Sequence, residues 1–426
     1  MHVLVTGASG FIGNHLVHAL LSAGHRVTLC VRRPSYRANH PAGCQRVLAD
    51  FSRDVTPDIW LPRLAGIDAV INTVGIFRET RQQRFANLHH KAPAALFKAC
   101  EQAGIKRVIQ VSALGADANA RTAYHLSKRA ADEVLCASGL EWTILRPSIV
   151  YARGAASWSL FLGLASLPWI PVVERGEQRI QPVHVADLVR AILACLEGSA
   201  VCEIVNVIGP EPVTIRELLG RLRVWLDGKP PHWVSVPRWL AQTLAETGGR
   251  LFRMPLGRDA VFMLLQDNVA DVRPFVAHMG FEPRRLDTVL ATDPATAADR
   301  WHARLYFLQP LLQLSIAVLW LWTAIVSAGV FPLPDSLAML ERTGIPQDLA
   351  PLALAGAIGI DMFFGLATLA GYRLSVLLSW QIALILFYTL IITLFLPEYW
   401  AHPFGPLIKN IPILAALLVL RAITKP

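Results

Sequence analysis

Three residues in the first half of the chain have the types and spacing to move a proton. Tyr124 and Lys128 stand four apart in a stretch with helical spacing, so both fall on one face. Ser112 precedes them, directly after the apolar, β-branched run Arg107-Val108-Ile109-Gln110-Val111. Reducing a ketone needs a proton donor beside the carbonyl oxygen as hydride arrives. A phenol donates poorly near neutral pH unless a cation lowers its pKa, and a lysine one helical turn away supplies that cation. A serine hydroxyl from the neighbouring strand end would orient the carbonyl. The expected catalytic set is therefore Ser112, Tyr124 and Lys128.

Hydride needs a carrier, and the opening residues are suited to hold one. His2-Val3-Leu4-Val5-Thr6 reads as a buried strand, a turn with Gly7, Gly10 and Gly13 follows, and helical spacing runs from 14 to 23. A strand, a glycine-rich turn and a helix are what a dinucleotide pyrophosphate requires. Gly7 permits the turn, Gly10 lets the backbone approach the phosphates, and Gly13 lets the helix lie close to the sheet. The amides of the first helical turn then face the anion. The expected contacts from this turn are Gly7, Ser9, Gly10, Phe11, Ile12 and Gly13. The spacing is G-x-x-G-x-x-G rather than G-x-G-x-x-G.

The second strand, 26–31, ends in Arg32-Arg33-Pro34. An acidic residue near this position holds the ribose of NAD, whereas arginine accommodates the 2′-phosphate of NADP. Arg32 and Arg33 thus favour NADP, with NAD the alternative. Asp50, after a third strand, is placed to accept from an adenine amino group. Asn72, Val74 and Gly75 follow a fourth strand, and Pro147 follows a sixth. These complete the expected nucleotide contacts, together with Tyr124 and Lys128.

Strands alternating with helices over 1–150 predict an α/β fold, a doubly wound parallel Rossmann sheet with its ligand beyond the carboxyl ends. One long helix is expected from 85 to 103. Residues 151–300 are less regular and read as a small substrate lobe, giving a domain 1–300 with an interior boundary at 150. His89, His90, His125 and His184 show no metal-ligand spacing, so no metal is expected.

The chain has 426 residues, 54% hydrophobic and 17% charged, with a net charge of +9. From Trp301 onward there are 6 Lys/Arg and 5 Asp/Glu, so of the totals of 40 and 31, residues 1–300 hold 34 and 26. The basic excess lies in the first 300 residues, but no zinc-finger or aromatic RNA-binding pattern accompanies it, so no nucleic acid is expected. The 6 cysteines all precede residue 301 without a C-x-x-C pair and read as reduced thiols. Because the opening strand starts at once, no signal peptide is expected.

Residues 301–426 differ in kind. Apolar runs at 306–331, 349–372, 374–396 and 404–423 have spanning length and predict an all-α, four-helix transmembrane bundle. Arg300, Arg304, Arg373, Arg421 and Lys425 fall on one side. Asp335, Glu341, Arg342, Asp348 and Glu398 occupy the other loops. The positive-inside rule then predicts a multi-pass protein of the inner (cytoplasmic) membrane, with the Rossmann domain and the C-terminus in the cytoplasm. Asp361 lies near the middle of the second run, where a carboxyl group is costly and is read as functional by default. The structural alternative is a hydrogen-bonded acid holding the bundle together. Lys409 is its expected partner.

Thr6-Gly7-Ala8-Ser9-Gly10-Phe11-Ile12-Gly13, Asn72-Thr73-Val74-Gly75, Ser112, Tyr124-His125-Leu126-Ser127-Lys128 and Leu145-Arg146-Pro147-Ser148-Ile149-Val150-Tyr151 resemble the short-chain dehydrogenase/reductase superfamily. The match is to its extended and atypical branches, which include nucleotide-sugar epimerases. Pro182-Val183-His184-Val185-Ala186-Asp187 fits their C-terminal lobe. Val236-Pro237-Arg238-Trp239-Leu240-Ala241, with Leu264-Leu265-Gln266-Asp267-Asn268-Val269, is similar to the subgroup containing the nucleotide-binding accessory subunit of respiratory complex I. The resemblance covers about residues 1–290 and implies an NAD(P)-binding Rossmann fold with Ser112, Tyr124 and Lys128 as triad. Gly405-Pro406-Leu407-Ile408-Lys409-Asn410-Ile411-Pro412-Ile413-Leu414 resembles the last helix of the DoxX-like four-helix membrane family, which implies no reaction.

The leading expectation is a membrane-anchored, NADP-dependent oxidoreductase acting on a carbonyl or another hydride acceptor, with a small lipophilic substrate. A second reading is a non-catalytic nucleotide sensor or assembly protein whose helices recruit a membrane-protein partner. A third is an NAD-dependent nucleotide-sugar epimerase or dehydratase.

Overall fold

The computed structural model describes residues 1–32, 43–198, 202–244 and 262–424. Arg33 and Lys425 lie outside these residues. The chain divides into two compact units, Met1–Ala303 and Arg304–Pro426.

The first unit is built on a seven-stranded, wholly parallel sheet. Its strands are β1 (His2–Thr6), β2 (Arg26–Val31), β3 (Gln45–Leu48), β4 (Ala69–Asn72), β5 (Arg107–Val111), β6 (Glu141–Pro147) and a seventh at Glu203–Val207. The spatial order is seventh, β6, β5, β4, β1, β2, β3, so the chain reverses direction across the sheet between β1 and β4. Val3 pairs with Val27 on one side and Ala69 on the other. The central strands read as unbroken apolar runs because helices cover both faces. Val3, Leu4 and Val5 are wholly buried, Leu4 in one core cluster and its two neighbours in the other. This is the Rossmann-like arrangement expected from the sequence.

The helix expected over 85–103 is not uniform. A wide π-type turn, Ala86–Lys91, precedes the α-helix Ala92–Gln102. Pro93 has no amide to give the carbonyl of His89, which removes an i→i−4 bond at this junction.

Beyond 150, helix Ala156–Ser166 packs with helix Ile215–Asp227. The second is started by a capping box in which Thr214 and Glu217 satisfy each other's backbone amides. A two-stranded parallel piece, Ile170–Val173 with Trp233–Val236, completes this lobe and its apolar cluster.

The second unit is helical. Among the described residues, three helices are long and apolar enough to cross a membrane: Ala297–Val330, Ala350–Ala370 and Leu374–Phe395. The last two are joined by Gly371, Tyr372 and Arg373, with Gly371 at φ 62° and Arg373 at φ 42°. The fourth expected span is shorter than its apolar run. Only Asn410–Ile423 is helical, 14 residues, or about 21 Å against a hydrocarbon core of roughly 30 Å. Pro403, Gly405 (φ 53°) and Pro406 keep the preceding residues out of the helix. An amphipathic helix, Leu333–Arg342, lies between the first two spans in sequence.

Candidate functional site

The turn after β1 forms a cradle closed by its own backbone. The Gly10 amide donates to the Gly7 carbonyl at 2.8 Å, and helix Phe11–Ser22 starts immediately. Gly7 sits at φ 73°, and a Cβ there would meet Thr73 Oγ1 at 2.7 Å and the Val74 amide nitrogen at 2.9 Å. A Cβ on Gly13 would stand 2.8 Å from Ala8 Cα. Both positions therefore exclude any larger residue. No side chain caps this helix, so its first-turn amides remain for an anion, and the backbone around them fits a dinucleotide pyrophosphate. Ser9 and Gly10 are exposed at the rim, while Phe11 and Ile12 are half-buried against the core.

Arg32 is exposed directly after β2, and its charge reaches Asp50. Asp50 Oδ1 accepts the Ser52 amide at 2.9 Å and the Ser52 hydroxyl at 2.7 Å, which leaves Oδ2 for a ligand. Burial pushes the Asp50 carboxyl up, but those bonds and the charges of Arg32 and Arg53 outweigh it, so the net shift is down.

Asn72 does not face the cradle. It is fully buried, its Oδ1 accepts from Thr6 Oγ1 (2.6 Å) and the Val74 amide (3.1 Å), and its Nδ2 donates to Gln110 Oε1 (2.7 Å). The expected nucleotide contact is corrected to a buried tie between β1, β4 and β5, since every polar atom of the side chain is engaged inside the sheet. Pro147 is also buried, and its carbonyl accepts the Leu114 amide at 2.9 Å.

Helix Ala123–Cys136 carries the tyrosine and lysine. Thr122 caps it by accepting the His125 amide. Tyr124 is enclosed by rings, stacked on Phe77 at 5.2 Å and edge-on to Phe85, His89 and His125. Lys128 Nζ donates to the carbonyls of Val74 and Val111, both at 3.0 Å, and a Cβ on Gly75 would lie 3.3 Å from it. The structure thus brings Lys128 onto the loop that carries Val74 and Gly75. Burial pulls its ammonium down to about 8, against the opposing charge of Asp132. The expected lowering of the phenol by this lysine is not found. Burial raises Tyr124, while Lys128 is spent on two carbonyls. The phenol therefore holds its proton at neutral pH, and the cation that would ease its release reaches it only when Lys128 leaves its two carbonyls.

Ser112 is separated from Tyr124. Its hydroxyl donates to Asp132 Oδ2 at 2.7 Å, and Asp132 stands eight residues beyond Tyr124, about 12 Å along the helix. Ala113 packs beside Tyr124 instead. The carbonyl-orienting role expected of Ser112 is corrected for that reason: its hydroxyl is engaged by Asp132, about two turns along the helix from Tyr124.

Sequence reasoning missed Asp132, Arg146 and His89. Asp132 is 1% exposed and also accepts from Arg146 Nε and Nη2 at 3.2 and 3.0 Å. Its place on the Tyr124–Lys128 face, four residues further on, was a readable signal. Burial pushes its carboxyl up against the pull of Ser112, Arg146 and Lys128. His89 Nε2 accepts the Ile76 amide at 2.9 Å, which puts the ring proton on Nδ1, 2.9 Å from Ser127 Oγ. Ser127 in turn donates to the Tyr124 carbonyl at 2.7 Å. Among the described residues no group of three metal-type ligands occurs.

A cavity of about 220 Å³ lies beside this helix, lined among others by Leu114, Gly115, Thr122, His125, Met263 and Asn268. Met263 also packs against the Tyr124 cluster. A larger groove of about 700 Å³ on the lobe, between helices Ile215–Asp227 and Leu286–Thr292, contains none of these residues.

Residues 7–162 match the family described as NAD(P)H-binding, and residues 317–418 match the DoxX-like family. The chain is 34% identical over 154 residues to an uncharacterized sugar epimerase of Bacillus subtilis, covering 34% of this chain and 71% of that protein. The chain belongs to this NAD(P)-binding, epimerase-like family, with a DoxX-like domain behind it. The NAD(P)-binding unit is also 29% identical over 306 residues to a complex I subunit of Arabidopsis thaliana, the alpha subcomplex subunit 9, covering 67% of this chain and 73% of that one. It is 31% identical over 194 residues to ceramide reductase of Caulobacter vibrioides, covering 45% of this chain and 60% of the relative. Among solved structures, MoeE5 in complex with UDP-glucose and NAD is 25% identical with a TM-score of 0.52, covering 68% of this chain and 97% of its own. The DoxX-like unit, with its apolar helices, is membrane-associated.

Proposed function

We propose that this protein is a membrane-anchored, NADP-dependent reductase that delivers hydride to a carbonyl on a lipophilic substrate. The observation that carries this reading is Lys128 seated against Val74 and Gly75 with Tyr124 one turn away in a closed aromatic box. Such a pair serves no packing purpose that two apolar residues would not serve better, since burying an ammonium is costly. A bound nicotinamide nucleotide would supply the hydride. The first-turn amides after Gly10 would hold its pyrophosphate, and Arg32 favours a 2′-phosphate. Lys128, turning from its two carbonyls, would bind the adjacent ribose and hold a proton in reserve. Tyr124 would give its phenolic proton to the substrate oxygen, with the cavity beside His125 and Met263 admitting the substrate. Ser112, Asp132 and Arg146 fix the helix that carries both. The similarity to ceramide reductase supports a lipid carbonyl, and the apolar helices support a substrate drawn from a bilayer. The distribution of Arg304, Arg373 and Arg421 supports an inner-membrane protein with this unit in the cytoplasm.

The test is NADPH oxidation by the detergent-purified chain against a series of lipophilic ketones. Tyr124→Phe should lower turnover by roughly 10²- to 10⁴-fold while NADPH still binds. Unchanged turnover in that variant would remove the mechanism. A second reading, a non-catalytic nucleotide-binding assembly protein, draws on the complex I similarity and on the displaced Ser112. It predicts slowly exchanging nucleotide, no oxidation of NADPH, and co-purification with a membrane complex.

A further inference from the structure

We propose that Asp361 is a proton-binding site, the titrating station of a polar seam running through the membrane bundle. Helix Ala350–Ala370 buries Asp361, Phe364, Gly365 and Thr368, one continuous inward stripe. Its lipid-facing side is apolar, with Leu352, Ile360, Phe363 and Leu366 exposed. Asp361 is 5% exposed, and its Oδ1 is enclosed with no hydrogen-bond partner among the described residues.

The structural explanation for an intramembrane acid is a hydrogen bond between helices, and here other residues provide it. Thr368 accepts from Gln381 Nε2 through its hydroxyl and from Gln313 Nε2 through its carbonyl, both at 2.7 Å. That network already ties three helices together. Lys409, the expected partner of Asp361, makes no ion pair or hydrogen bond with it among the described residues, and Arg342 pairs instead with Glu398. An unpaired carboxylate in hydrocarbon is costly, so the resting group carries a proton that no acceptor holds in place.

Other unsatisfied polar atoms continue the line. Gln381 Oε1 and Trp320 Nε1 are buried without partners among the described residues. Trp320 stands edge-on to Phe364 at 5.1 Å, and Gly365 meets Leu321 closely enough that a Cβ would lie 2.6 Å from Leu321 Cδ2. The three unpaired groups therefore sit at successive levels between Asp361 and Thr368, a span of about 10 Å. Thr368 lies three residues from the helix end at Gly371. Toward the other end, Tyr388 is near enough to interact with Asp361 once its carboxyl is ionised. Beyond it Asn410 donates to Thr389 at 2.8 Å and Trp400 to Thr393 at 3.1 Å.

The ionisable groups around Asp361 are few. Tyr388 faces it from Leu374–Phe395. Helix Ala297–Ile325 has none after Tyr306, and Val326–Val330 has none. Leu333–Arg342, which also packs on this helix, carries Asp335, Glu341 and Arg342, all exposed.

The test is infrared difference spectroscopy of the full-length protein in lipid nanodiscs, wild type against Asp361→Asn. A protonated-carboxyl band missing from the variant should be present in acid and fall about tenfold for each pH unit above its midpoint, between about pH 5 and about pH 10. A band that never changes over that range means a sealed acid and overturns the proposal. So does the lack of any such band, which would mean a permanently ionised group.

Discussion

His89 shows how much of the site is fixed by a single proton. Because Nε2 takes the Ile76 amide, the ring is neutral, and burial with the nearby Lys128 charge lowers it to about 2. The unfolded chain binds a proton below pH 6.5 and the folded one does not. The unfolded state therefore gains protons first, and stability falls on acidification below that value by about 1.4 kcal/mol per pH unit. Denaturant unfolding between neutral and mildly acidic pH should show this slope, and His89→Gln should flatten it. Asp132 is the other residue whose loss is costly. Asp132→Asn leaves Arg146 with a weakened partner and should lower unfolding free energy by about 3–5 kcal/mol, read by thermal unfolding. Tyr124 and Lys128 were legible because a spacing of four fixes them to one helical face. Ser112 was not, because a strand end alternates direction residue by residue and one step decides between Tyr124 and Asp132.

At the level of elements, the glycine turn is the most constrained part of the chain. Gly13→Val would drive a side chain into Ala8 Cα. It should weaken NADPH binding at least tenfold, about 1.4 kcal/mol, in a fluorescence titration. The strands and the helices of the first 150 residues were readable because buried parallel strands appear as unbroken apolar runs. Two departures came from proline. Pro93 turns the start of the helix after β4 into a wide turn, and Pro403 with Pro406 shortens the last apolar run to a helix of 14 residues. Hydropathy counts apolar residues and does not register missing amides, so the four-span expectation exceeded what the helices supply.

For the whole molecule, the change of composition near residue 300 was the clearest signal, and the division at Ala303 lies beside it. The substrate was not legible, since the lobe's side chains meet only after folding. Orientation in the membrane is open to a direct check. Cys136 and Cys202 are exposed on the NAD(P)-binding unit. A membrane-impermeant maleimide should leave both unmodified in intact spheroplasts and label them after permeabilisation. Labelling before permeabilisation would place the unit outside. The link Gly371-Tyr372-Arg373 adds a constraint on biogenesis. Three residues are too few to let one flanking helix enter the lipid while the other waits in water, so the two must be released from the insertion machinery as a single hairpin. Arg373 at its tip then fixes the direction of both at once.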